Sequence, residues 1–173
     1  EYEGPLEKDL ASVNYQSASM DEVTNRMNEI LKKNVEASSV NVYILSNQNE
    51  LETAYSSNKL SMKMPVNNPI FDTLLNNNRN VVIAQQIEKD HAVSAITKEL
   101  TEFFETTKSD ALFILNEGHN IFGLITLGKK ASGDHYKEYD YNVFTKLYSY
   151  FFVFGYYMRN ISNKDIIDVV NRE

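Results

Sequence analysis

The chain of 173 residues contains no cysteine. That absence excludes disulfides, thiolate metal sites, iron–sulfur clusters, cysteine nucleophiles and cofactors tethered through a thioether. Tryptophan is also absent, and only three prolines and six glycines punctuate the chain, which favours long regular elements. Basic charge is scarce: 17 Lys and Arg stand against 24 Asp and Glu, a net charge of −7. No basic run exceeds the pairs Lys32-Lys33 and Lys129-Lys130, so the basic face that a nucleic-acid backbone requires is missing and no nucleic-acid partner is expected. Long apolar runs are lacking as well. The longest, Leu147 to Met158, spans about 12 residues and includes Ser149 and Gly155, against the roughly 20 that a membrane span needs. With a mean hydropathy of −0.42, no direct membrane insertion is expected, and the location expected is the cytoplasm. Opening on Glu1 rather than Met, the chain reads as a fragment of a longer one, with any targeting segment upstream.

What is present has clear periods. Leu6, Leu10 and Val13 recur at helical spacing behind Gly4-Pro5. Ser19 and Glu22 form a capping-box signature before a helix whose stripe is Met20, Val23, Met27, Ile30, Leu31 and Val35. Residues 39–46 (SVNVYILS) read as a strand, Asn47 to Glu50 as a turn and residues 51–57 as the returning strand. A short edge-like strand follows around Leu60 to Met64, then a short helix from Pro69 to Leu75 and a brief strand from Val81 to Ala84. Ile96, Leu100, Phe103 and Phe104 sit at helical offsets. Two strands, 110–116 and 120–128, flank the turn at Gly118, and from about Lys137 onward the pattern reads as one long helix. Strands joined by tight turns give an antiparallel sheet, so the class is α+β with helices over at least one face.

The stretch from Ala111 to Asn160 resembles the closing half of a GAF domain: ALFIL, the turn NEGHN, then IFGLITLGKKASGDHY and the acidic helix start KEYDYNVFTKLYSYFFVFGYYMRN. Gly123, Leu127, Gly128 and Lys130 fit the strand end of that family, Ser132-Gly133 and Tyr136 the connection, and Glu138 and Asp140 the helix start. SVNVYILSNQNELETAYSS resembles the opening strands, so the resemblance covers roughly residues 20–161, carried by order and spacing rather than by one motif. A PAS-like sensor is the alternative. The resemblance implies a central antiparallel sheet of about six strands, with the N- and C-terminal helices on one face and short helices and loops roofing the other. It implies an N-terminal helix over 1–18, a sensory domain over 19–161 and a signalling helix starting at 162–173. It further implies a homodimer formed through the terminal helices, a small-molecule ligand, and control of a downstream kinase, cyclase, phosphatase or transcription factor. The chain departs from the family in places. Without cysteine it can hold no covalent bilin and cannot perform the thiol chemistry of GAF-type methionine sulfoxide reductases. The Asn-Lys, Phe and Asp-Glu pattern of cyclic-nucleotide-binding members is missing, and Lys137 stands where a Thr or Ser usually caps the last helix.

No catalytic constellation appears. His91, His119 and His135 have no ligand spacing, and the carboxylates Glu102 and Glu105 read as a solvated helix face. His119 and His135 read as surface residues, whereas His91 lies in the expected roof. In the first strand Val40, Val42 and Ile44 form an aliphatic face, which places Asn41 and Tyr43 toward a pocket, since a pocket wall combines apolar area with a few polar groups. In the last strand alternation leaves two faces open, Phe122, Leu124 and Thr126 or Ile121, Gly123 and Ile125; the polar Thr126 favours the former for the pocket side. The candidate ligand-facing residues are Asn41, Tyr43, Tyr55, His91, Phe103, Phe113, Leu124 and Thr126. The competing reading is a filled core in which Asn, Tyr and Thr are satisfied. In the last helix Val143, Leu147, Tyr150, Phe151, Phe154, Tyr157, Met158 and Ile161 form one wide stripe while Tyr148, Phe152, Val153 and Tyr156 lie off it. A helix apolar on most sides needs a second cover, which makes Tyr148, Phe152, Tyr156 and Met158 the candidate dimer contacts and Gly155 a point of close helix approach. The stripe resumes at Ile166, Ile167, Val169 and Val170.

Overall fold

The structure is a computed structural model describing residues 1–16 and 18–172, with side chains described up to 163. The elements run α1 (Glu3–Ala11), α2 (Met20–Val35), β1 (Val40–Leu45), β2 (Glu50–Ser56), β3 (Lys63–Pro65), α3 (Pro69–Asn76) and β4 (Val81–Ile83). Two 3-10 turns (Ala84–Lys89 and His91–Ile96) lead into α4 (Thr97–Thr106), then β5 (Ala111–Glu117), β6 (Asn120–Leu127), α5 (Glu138–Lys146) and α6 (Tyr148–Arg172). Local signals set several of these bounds. Ser19 Oγ accepts the Glu22 amide at 3.2 Å and starts α2. Asn68 Oδ1 accepts the Ile70 amide at 3.1 Å and, with Pro69 as the next residue, starts α3. Asp140 closes the gap left by Lys137 at the start of α5, its carboxylate accepting the Lys137 amide at 2.8 Å.

The sheet has six antiparallel strands in the order β3-β2-β1-β6-β5-β4. Its centre is buried on both faces. Val40, Val42, Phe113, Leu115, Ile125 and Leu127 face α1, α2, α5 and α6, whereas Tyr43, Leu112, Ile114 and Leu124 face α3, α4 and the 3-10 turns. On the first face Phe113 stacks on Phe151 with ring centroids 4.0 Å apart, and Phe144 packs on both. Asp140 holds α1 in this layer: it is enclosed, accepts from the Tyr2 hydroxyl and pairs with Lys130 at 3.3 Å. Burial and that carboxylate push the Tyr2 phenol well above its usual range.

Two bulges break strict alternation. Val42 pairs with Tyr55 but Tyr43 with Thr53, leaving Ala54 as the extra residue and turning Tyr55 to the terminal-helix face. Leu115 pairs with Gly123 but Asn116 with Ile121, so Phe122 also turns to the helix face and Ile121 to the roof. Phe122 therefore leaves the side that alternation gives it. The long final helix is likewise two: at Leu147 (φ −98°, ψ 13°) α5 ends, and α6 sets off across β1, β5 and β6 while α5 stays against β4. No local breaker stands there; the two helices pack on different strands. The side chains of Ile166, Ile167, Val169 and Val170 lie outside the described residues.

Gly155 sits where α6 meets β5: a Cβ there would collide with the buried Leu115 side chain. Gly155→Ala should therefore lower stability by about 1–3 kcal/mol, although alanine is the better helix former by about 1 kcal/mol. In a double-mutant cycle followed by urea denaturation, Leu115→Ala should recover part of that loss. Strict additivity would show that the two residues do not meet.

Candidate functional site

Alternation along β1 and the register of β1 against β6 bring Asn41, Tyr43, Leu124 and Thr126 together on the roof side, with Asn41 directly opposite Thr126 and Tyr43 opposite Leu124. All four are enclosed. Three of their polar atoms, Asn41 Oδ1, the Tyr43 hydroxyl and Thr126 Oγ1, are buried without a hydrogen-bond partner. Asn41 Nδ2 donates to Asn58 Oδ1 at 3.2 Å, so its amide is anchored on one side and open on the other. Burial raises the Tyr43 phenol above its usual range; Thr126 is near enough to offset this in part, yet the two hydroxyls do not meet in hydrogen-bond geometry. An unpaired buried polar group costs about 1–3 kcal/mol, so this cluster is an expensive place to leave three.

The other candidates are dispersed. Phe103 belongs to the roof, packed edge-on against Phe71. His91 is exposed at the start of the second 3-10 turn. Tyr55 and Phe113 face the terminal helices, Tyr55 because of the Ala54 bulge and Phe113 because it shares the parity of Ala111 and Leu115. They are corrected here: neither shares a surface with Asn41 and Tyr43. Of the proposed dimer contacts, Met158 is fully enclosed within the protomer and is unavailable to a partner. Tyr148 is half-buried, its hydroxyl donating to the Ile114 carbonyl at 2.5 Å. Phe152 leans on Phe122, and Tyr156 is the exposed member, at 43%; Val153, outside that set, is also exposed, at 48%.

Beneath the roof the space is filled by Tyr43, Phe71, Leu100, Phe103 and Leu112. Clefts open at its margins, two of them of about 500 Å³. One of about 520 Å³ lies along β4 beside the Arg79–Asp90 pair, which is 2.7 Å apart. The Arg79 guanidinium holds the Asp90 carboxyl below the usual carboxylate range. The second, of about 500 Å³, lies at the end of the sheet and is lined by Phe104, Lys108, Asp110, Lys129 and His135 among others. Here the structure adds a feature that spacing did not reveal. Asp110 is buried, accepts the Tyr136 amide at 2.9 Å and pairs with His135 Nδ1 at 2.8 Å, across 25 residues of sequence. An aspartate at the head of an apolar strand was the only local sign. Among the described residues, no group of three or more His, Asp or Glu is placed to hold a metal ion, and no helix is long and apolar enough to cross a membrane.

Isosteric removal of the unpaired hydroxyls tests the cluster. Thr126→Val and Tyr43→Phe should each raise the stability of the ligand-free protein by about 1 kcal/mol in urea denaturation. A fall in stability would mean that these hydroxyls are already satisfied.

No protein-family model matches the chain, and no curated protein matches it by sequence. Solved structures do. The A. aeolicus nlh2 GAF domain in an inactive state is 15% identical with a TM-score of 0.51, covering 95% of this chain and 97% of its own. The GAF domain of a two-component sensor histidine kinase from Bacillus halodurans is 13% identical with a TM-score of 0.52, covering 85% and 98%. Free methionine-R-sulfoxide reductase from Neisseria meningitidis, in complex with its substrate, is 12% identical with a TM-score of 0.53, covering 93% and 90%. At such identities the likeness concerns architecture, and the six-stranded sheet clasped between terminal helices and a roof of short ones gives this chain the fold of a GAF domain.

Proposed function

We propose that the chain is a regulatory sensory domain of a cytoplasmic signalling protein, which binds a small molecule beneath its roof, pairs with a second copy and passes its state to an output domain. The observation that carries this reading is the unpaired cluster of Asn41, Tyr43 and Thr126 on the buried roof face of β1 and β6. A ligand that offers these groups hydrogen bonds recovers free energy that the ligand-free protein forgoes. The cluster itself holds no ionisable acid or base other than a phenol whose charged form burial disfavours, so the ligand suited to it is neutral and polar. The likeness to the sensor-kinase GAF domain supports a signalling role.

The route outward follows from contacts. β1 and β6 carry the cluster on the roof side and pack against α6 on the other, so a shift of these strands reaches the final helix directly. Phe152, Val153 and Tyr156 are the part of α6 suited to a second copy, because together they leave apolar surface uncovered by the protomer. A ligand-free dimerisation spacer is the second reading, favoured by the filled space under the roof. The likeness to a reductase does not extend to thiol chemistry, for which this chain has no cysteine.

Two experiments test the proposal. Light scattering at tens of micromolar should give a dimer, and Phe152→Glu with Tyr156→Glu should give a monomer with an unchanged circular dichroism spectrum. A wild-type monomer contradicts the pairing. A thermal-shift screen of neutral polar metabolites should yield a ligand that stabilises by about 2.7 kcal/mol at 100 times its Kd, with the effect weakened in Thr126→Val. Finding no stabilising compound, or one indifferent to Thr126→Val, favours the spacer.

A further inference from the structure

The cleft at the end of the sheet is separate from the roof cluster: none of Asn41, Tyr43 and Thr126 lines it. Its walls differ in kind. Ala84, Ile87 and Phe104 supply an apolar side. Lys108, Lys129 and His135 supply cations or proton donors. We propose that this cleft, where buried Asp110 orients His135 beside Lys108 and Lys129, binds a small organic anion with an apolar body.

Four observations support this. First, the dyad is built for orientation. Asp110 is 1% exposed, and its two oxygens divide between the Tyr136 amide and His135 Nδ1. The amide alone would anchor the connection after β6; the second bond fixes the imidazole and leaves Nε2 as its remaining polar atom. The His135 side chain stays 46% exposed, accessible to a ligand. Second, Lys108 and Lys129 have no ion-pair partner among the described residues, although acidic side chains outnumber basic ones in the chain. Glu105 and Asp110 balance the two lysines in formal charge, but Asp110 is buried with both oxygens taken by His135 and the Tyr136 amide, so Lys108 and Lys129 face only Glu105 among the exposed charges of the lining. Third, both lysines spring from fixed backbone. Lys108 adopts φ 51° at the end of α4, where the Ser109 amide bonds to the Phe104 carbonyl at 3.0 Å. The Lys129 carbonyl accepts the Ser38 amide at 3.0 Å. Fourth, amides of Thr107, Lys108 and Ser109 occupy carbonyls in the last turn of α4, which reduces the negative end of that helix facing the cleft. The volume of about 500 Å³ suits a small molecule and not a chain.

The test is a two-dimensional amide NMR titration with three probes: benzoate, its neutral isostere benzamide, and inorganic phosphate. Benzoate should shift the amides of Ser38, Lys129 and His135 saturably. Benzamide should not bind, and phosphate, lacking an apolar body, should bind more weakly than benzoate. The exposed double variant Lys108→Gln with Lys129→Gln should keep its spectrum and bind benzoate at least about tenfold more weakly. Failure of benzoate to shift these amides would overturn the proposal. So would equal binding of benzamide or phosphate, undiminished binding by the double variant, or shifts centred on Asn41 and Thr126. Because the binding probe expected here, benzoate, is an anion and the roof cluster suits a neutral ligand, failure here leaves the sensory reading standing, and failure of the metabolite screen leaves this one standing.

Discussion

Burial of β1, β6 and β5 on both faces is the constraint on which the rest of the structure depends. Each of these strands must present apolar side chains alternately to the terminal helices and to the roof, and they do so through Val42, Phe113, Ile125 on one side and Leu112, Ile114, Leu124 on the other. The helices follow from it. Phe151 is placed to stack on Phe113, Gly155 lets α6 descend onto Leu115, and α5 swings away at Leu147 to cover β4. Against such a background, any polar side chain on these strands must be paired or carry a cost. That is why Asn41, Tyr43 and Thr126 stand out more than any exposed residue.

The same sheet relates the two sides of the molecule. Its roof is assembled from short pieces, α3, two 3-10 turns and α4, whose contacts are mutual and local. Its other face bears long helices tied down by Asp140, which gathers Tyr2, Lys130 and the Lys137 amide at one point. Movement within β1 and β6 is felt by α6 because it crosses both strands.

Much of this was legible beforehand, including the helix-facing parity that Phe113 shares with Ala111 and Leu115, and several of the exceptions share a cause. The strands of the two hairpins, the Ser19 cap and the centre of the stripe in the last helix are written in local chemistry and period, and they stand where expected, with Tyr150, Tyr157 and Ile161 at the half-buried margin of that stripe. The positions of Asn41, Tyr43, Leu124 and Thr126 on one face follow from simple alternation along regular strands. Tyr55 and Phe122 escaped it because a bulge is decided by pairing with a distant strand, and one extra residue reverses every side chain beyond it. The end of α5 at Leu147 has no proline or glycine to announce it. The Asp110–His135 pair joins residues from two connections that only the folded sheet brings together. Met158, read as an outward contact, lies on the stripe that the core consumes.

The central claim is that the unpaired groups under the roof exist for a ligand in a paired sensory domain. Native mass spectrometry of gently purified protein, repeated on the same sample after denaturation, tests it most directly because subunit number and bound mass are read together. The account predicts a dimer carrying additional mass that disappears on denaturation, with the excess reduced in Thr126→Val. A bare monomer whose mass is the same before and after denaturation would contradict it.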